Sequence, residues 1–108
     1  MPNYPSISGG VETPTVTPTQ IVTSGEISKT GKVVNATIGV KPTSSGFSNV
    51  FTNFPKPTHG VRALGITSGG AIANSWIYID TTGLVRVYSI NSDLNSTLLF
   101  TITYITSD

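Results

Sequence analysis

The stretch from Ser75 to Ser89 constrains the fold more than any other part of the chain. It reads SWIYIDTTGLVRVYS, two runs in which aliphatic residues alternate with aromatic, charged or polar ones, joined by Thr-Thr-Gly. Alternate side chains of a strand point to opposite faces. Thr81-Thr82-Gly83 places a glycine where a three-residue hairpin loop wants a left-handed residue. Pairing Asp80 with Leu84 sets Tyr78 opposite Arg86, Trp76 opposite Tyr88, Ile79 opposite Val85 and Ile77 opposite Val87. Ile77, Ile79, Val85 and Val87 then form a β-branched face that belongs in a core, while Trp76, Tyr78, Arg86 and Tyr88 share the other face.

The same texture runs from Ile21 onward, with β-branched and aromatic segments punctuated by Gly, Pro, Asn and Ser. No segment sustains a period of 3.6, so almost no helix is expected. The predicted strands are Ile21 to Ser28, Lys32 to Lys41, Asn49 to Asn53, Gly60 to Thr67, Ala71 to Asp80, Leu84 to Ile90 and Thr97 to Thr106. Lys29-Thr30-Gly31 predicts a second hairpin with a three-residue loop. The last strand has apolar residues on both sides, Leu98, Phe100, Ile102 and Tyr104 against Leu99 and Ile105. It reads as a central strand covered on both faces. Seven short strands without an internal repeat predict an all-β domain, a compact antiparallel β-barrel or jelly-roll-like sandwich.

Residues 1 to about 20 differ in kind. Pro2, Pro5, Pro14 and Pro18 with Gly9 and Gly10 read as a linker or stalk remnant, extended where Pro and Thr alternate. Residues 21–108 are then the domain, and 108 residues suffice for one compact core. No positive segment leads into an apolar run at the N-terminus, and no stretch approaches the ~20 apolar residues of a spanning helix. The expectation is a soluble chain without its own secretion signal, so an extracellular role needs cell lysis or carriage on a larger particle.

Composition narrows the function. Only 10% of residues are charged, against about 25% in an ordinary soluble domain, which suits an extracellular β-protein or one that hides surface in an oligomer. A formal net charge of +1 argues against nucleic acid or anionic membrane as the main partner. The absence of cysteine removes disulfides, thiolate chemistry and cysteine-based zinc sites. His59 is the only histidine, so a two-histidine metal site cannot form and no metal or cofactor is expected. It sits in the turn-rich segment Pro55 to Gly60, as an exposed loop residue or as a ligand contact at a loop tip. The carboxylates are Glu12, Glu26, Asp80, Asp93 and Asp108; Asp80 suits its own turn. Glycosidase chemistry needs two carboxylates held about 5 to 10 Å apart in a cleft. This inventory is too thin for that within one chain, and a non-enzymatic protein is expected.

What remains is the face bearing Trp76, Tyr78, Arg86 and Tyr88. Aromatic rings stack on the apolar faces of sugars while Arg, His, Asp and Asn bond the hydroxyls. The same residue types also pack second core layers and subunit interfaces. Both readings are open at this point.

The run Ser75 to Ser89, followed by Leu99-Phe100-Thr101-Ile102-Thr103-Tyr104-Ile105-Thr106, resembles the C-terminal head domain of receptor-binding proteins from phages of Gram-positive bacteria, especially the lactic-acid and streptococcal group. The resemblance covers roughly residues 21 to 106 in texture and motif order, without a catalytic signature. It implies a homotrimeric head at a tail tip or baseplate that binds host cell-surface polysaccharide near subunit boundaries. Other phage tail or baseplate proteins would hold it through the N-terminus. Where the resemblance leads one to expect the family's shoulder and neck, this sequence carries the Pro/Thr-rich segment. No strict family motif transfers, so the candidate saccharide contacts are placed by position: Trp76, Tyr78, Arg86 and Tyr88, with His59, Arg62 and Asp80 on adjoining loops and strand ends. The rival readings are a structural virion domain without a ligand and a carbohydrate-binding accessory module of a cell-wall hydrolase.

Overall fold

The structure, a computed structural model, describes residues 11–108. The strands are β1 (Val11–Glu12), β2 (Val22–Thr30), β3 (Val33–Val40), β4 (Gly46–Phe51), β5 (Val61–Thr67), β6 (Ile72–Ile79), β7 (Val85–Ser89) and β8 (Leu98–Ile105). A single 3-10 turn, Asn91–Asp93, is the only helical element among the described residues. All strands belong to one antiparallel sheet in the order β1-β2-β3-β8-β5-β6-β7-β4, curled into a half-barrel. The all-β expectation holds. The two-layer, jelly-roll alternative does not: the core lies inside one curled sheet instead of between two.

The β6–β7 hairpin has the register its alternation dictates, with Trp76, Ile77, Tyr78 and Ile79 opposite Tyr88, Val87, Arg86 and Val85. Its β-branched face is fully buried, at 0% exposure for Ile77, Ile79, Val85 and Val87. Each such side chain withdrawn from water contributes about 1.5–3 kcal/mol. Gly83 turns the loop at φ 87°. A Cβ there would lie 2.3 Å from the carbonyl oxygen of Phe54, whose N–H donates back to the Gly83 carbonyl at 3.0 Å. The loop is therefore locked against the segment that follows β4.

The other hairpin is tighter than its sequence suggests. Thr30 pairs with Val33, leaving Gly31 and Lys32 as a two-residue loop. Gly31 sits at φ 60° and Lys32 has no positive φ, the pattern of a type II′ turn. The last strand, β8, lies between β3 and β5 and is central as predicted. Its cover is one-sided, however. Leu98, Phe100, Ile102 and Tyr104 are buried, whereas Leu99 and Ile105 are 42% and 50% exposed. A single curled sheet has only one inner face, so among the described residues nothing lies over the other.

At the far end, β4 starts at Gly46 and ends at Phe51, three residues upstream of expectation at its start. A bulge between Asn49 and Phe51 turns both Val50 and Phe51 into the core.

A half-barrel leaves two edges, at β2 and at β4, and residues 11–20, expected as linker, occupy parts of both. Val11 and Glu12 pair with Thr30 and Lys29 of β2, and Glu12 forms an ion pair with Lys29 at 3.5 Å. Farther on, Pro18 bridges Phe51, the Thr19 N–H donates to the Val50 carbonyl at 2.9 Å and the Thr52 N–H donates to Thr17 at 3.3 Å. The Asn53 amide accepts from the Thr17 N–H at 2.6 Å and donates to the Thr15 carbonyl at 3.3 Å. Residues 1–10 of the expected linker lie outside the described residues. Between this strap and β2 a cavity of about 300 Å³ remains, floored by Ile38, Phe51 and Phe54.

Candidate functional site

The outer face of β5, β6, β7 and β4 carries the residues singled out in the sequence, and strand register arranges them in two rows. Arg62 of β5 pairs with Tyr78 of β6, Tyr78 with Arg86 of β7, and Arg86 with Asn49 of β4. One step of two residues along the strands, Leu64 pairs with Trp76, Trp76 with Tyr88, and Tyr88 with Phe47. Successive residues on one face stand about 6.6–6.8 Å apart. The result is a cationic and polar row running beside an apolar and aromatic one.

In the apolar row, Trp76 stacks on Tyr88 with ring centroids 5.2 Å apart and an interplanar angle of 22°. Phe47 meets both rings edge-on, at 5.6 Å from Trp76 and 5.0 Å from Tyr88. Offset-stacked and edge-to-face contacts of this kind add about 0.5–1.5 kcal/mol each beyond burial. Trp76 is only half-buried, while Tyr88 is 36% and Phe47 51% exposed. The cluster is thus pre-formed yet open to solvent.

In the cationic row, both guanidinium groups lie over aromatic rings. Arg62 is 4.8 Å from the Tyr78 centroid and 5.5 Å from that of Trp76. Arg86 is 4.9 Å from the Phe47 centroid and 5.9 Å from that of Tyr78. Tyr78 therefore stands between two cations, and cation–π attraction partly offsets their mutual repulsion. The Arg86 Nε is buried without a hydrogen-bond partner. Beside Trp76 a shallow hollow of about 290 Å³ is walled by Arg62, Ala63 and Leu64.

Not every predicted contact gathers here. Asp80 is committed to its own loop: its Oδ1 accepts from the N–H groups of Thr82 at 2.9 Å and Leu84 at 3.2 Å, and from the Thr82 hydroxyl. Burial pushes its carboxyl up, but the bonds from Thr82 and Leu84 and the Arg86 charge outweigh this and hold it below the ordinary value. His59 is exposed and precedes Gly60, on whose backbone the Tyr78 ring packs; a Cβ at Gly60 would fall 2.4 Å from the Tyr78 hydroxyl. His59 thus borders the cationic row without belonging to it. Among the described residues no three His, Asp or Glu side chains gather into a metal-binding cluster.

Three members of the patch were missed in the sequence, Phe47, Asn49 and Leu64. Phe47 lay outside the predicted strand and so had no face assigned. The alternation Gly46-Phe47-Ser48-Asn49 carries the signal that would have found it. Leu64 lay inside a predicted strand whose partner was unknown.

A second exposed patch lies toward the tip of β5 and β6. Ile66 pairs with both Ile72 and Leu99. These three side chains are 49%, 76% and 42% exposed, and Leu64 in the adjoining row is 63% exposed. Comparison with protein-family models and with curated proteins finds no match for the chain.

Proposed function

We propose that this chain is a phage adhesion domain, the receptor-binding head of a tail tip or baseplate, which binds host cell-surface saccharides without a catalytic role. The observation that carries the reading is the outer-face patch. A pre-formed aromatic platform is exposed beside two arginines and a shallow hollow, on the face of the sheet that does no core packing. A sugar ring resting against Trp76 and Leu64 would place its hydroxyls within reach of Arg62. Such a site is small and binds weakly by itself. In a homotrimer three copies engage a repetitive polymer together, and avidity raises affinity by about 10²–10⁴. The exposed Leu64, Ile66, Ile72 and Leu99 patch supports association of copies, since contiguous exposed apolar surface of this kind marks interaction sites.

Two measurements test the reading. Light scattering on the full chain is expected to give the mass of three chains, and a clean monomer overturns the trimer. Binding to host cell-wall polysaccharide is expected for the wild type and lost on Trp76→Ala. If cell-wall binding survives that substitution, the saccharide site lies elsewhere; if the wild type binds no cell-wall material, the structural virion reading takes its place.

A further inference from the structure

We infer that the outer-face patch selects acidic saccharides, those bearing a carboxylate, sulfate or phosphate group, over neutral ones. The inference rests on the saccharide-binding reading above and adds a charge to it. Three features lead there.

The first is the uncompensated charge. Arg62 and Arg86 both lean on Tyr78, at 4.8 and 5.9 Å, so their guanidinium carbons are no farther apart than those two distances end to end. Neither has a carboxylate within ion-pair distance among the described residues, where the sole ion pair joins Lys29 to Glu12. The nearest acidic influence on Arg86 is Asp80, which lies outside ion-pair distance and whose Oδ1 accepts from two backbone N–H groups and a hydroxyl. The row therefore presents two cations with no carboxylate in ion-pair contact.

The second is an orphaned donor. The Arg86 Nε is buried and unpartnered, a standing cost, so the protein gives this half-buried guanidinium no acceptor at that atom. Planar guanidinium groups match the oxygens of carboxylate, sulfate and phosphate.

The third is spacing. The cationic row and the aromatic row are adjacent on the same face, about 6.6–6.8 Å apart along the strands. A single sugar residue covers that span. Its ring would lie against Trp76 and Leu64 while an acidic substituent reaches the Arg62–Tyr78–Arg86 row. A neutral sugar would satisfy the first row only.

The experiment is a glycan array carrying neutral glycans and glycans bearing uronate, sulfate or phosphate groups. It is probed with the full chain at low and high salt, with DNA and poly-aspartate as controls. The expected result is retention confined to acidic glycans, weakened by salt. Arg62→Gln is expected to reduce that retention about tenfold, the scale of one charge-assisted hydrogen bond, and Arg86→Gln by a similar factor. Arg62 is exposed, so its variant folds and keeps the test valid even if the more buried Arg86 variant does not. Trp76→Ala is expected to abolish retention altogether. Equal binding of neutral glycans, or acidic binding unchanged in Arg62→Gln, overturns the charge selectivity and leaves the saccharide reading standing. Absence of binding to every glycan overturns both. Retention of DNA and poly-aspartate alongside acidic glycans, unaffected by Trp76→Ala, would show simple ion exchange and also overturn it.

Discussion

The β6–β7 hairpin and strand β2 belong to one sheet but are built on opposite terms. In β6–β7 every second residue is fully buried and the faces separate cleanly into core and patch. In β2 no residue is buried: Val22, Ile27, Ser28 and Lys29 are half-covered and the rest are exposed. The difference is positional. The hairpin lies where the curl of the sheet closes over it, whereas β2 forms the rim, supported by β3 on one side and by little more than Val11 and Glu12 on the other. One region holds its shape by burial, so it can display a rigid arrangement of aromatic and cationic side chains on its outer face. The rim is held largely by hydrogen bonds to a neighbouring strand.

Truncating an equivalent side chain in each region breaks or confirms this contrast. Ile77→Ala removes a side chain with no solvent exposure from the middle of the core and is expected to cost about 3–4 kcal/mol, because the surrounding strands cannot collapse into the space. Ile27→Ala removes the same atoms from a half-covered rim position beside an existing cavity and is expected to cost about 1 kcal/mol. Chemical denaturation of the two variants measures both values. Equal losses would mean that the rim is as tightly packed as the hairpin and that the contrast is wrong.

The strap sharpens the comparison at a smaller scale. Asn53 ties residues 15 and 17 to the end of β4 through its side-chain amide. Asn53→Ala is expected to cost about 1 kcal/mol, the net worth of such bonds. Its distinctive signature is in amide hydrogen exchange, where protection of Thr17 and Thr19 falls while that of β6 and β7 is unchanged. A uniform loss across the sheet would show instead that the strap is part of the cooperative core.

What could be read from the sequence follows the same division. The hairpin was legible to the level of individual pairs because alternation, a turn glycine and an apolar face all agree there, and consistency between levels is what makes a segment specify one structure. The strap was not legible. Pro14 and Pro18 with the threonines between them mark an extended chain, but its docking depends on Asn53, 36 residues from Thr17, and no local pattern encodes that. The one-sided cover of β8 was hidden for a related reason. Leu99 and Ile105 look like core residues by type, and their exposure follows from the sheet curling upon itself without a second layer. As for the patch, Trp76, Tyr78, Arg86 and Tyr88 came from a single hairpin register. Arg62 was placed by proximity in the chain alone, and Phe47, Asn49 and Leu64 required knowing that β4 and β5 flank the hairpin on either side.

The smallest expected effect lies where the two faces of the hairpin meet its loop. Asp80 is held below the ordinary carboxylate value chiefly by the Thr82 and Leu84 bonds acting against burial. A carboxyl whose folded pKa is depressed binds fewer protons in the folded than in the unfolded chain. Its contribution is therefore complete above the unfolded value and is lost as pH falls through the folded one. Asp80→Asn keeps an acceptor oxygen for the loop N–H groups but removes the charge. Measured stability of the variant should therefore fall less steeply than that of the wild type between about pH 5 and pH 2, with the difference small because Asp80 is only partly covered. Parallel pH profiles would mean that the loop is held by its backbone bonds and Gly83 alone, and that neither the loop donors nor Arg86 stabilises the Asp80 charge. That outcome would bear directly on charge selectivity, since an Asp80 charge that does not sense Arg86 leaves the cationic row without an offsetting anion for an acidic ligand to displace.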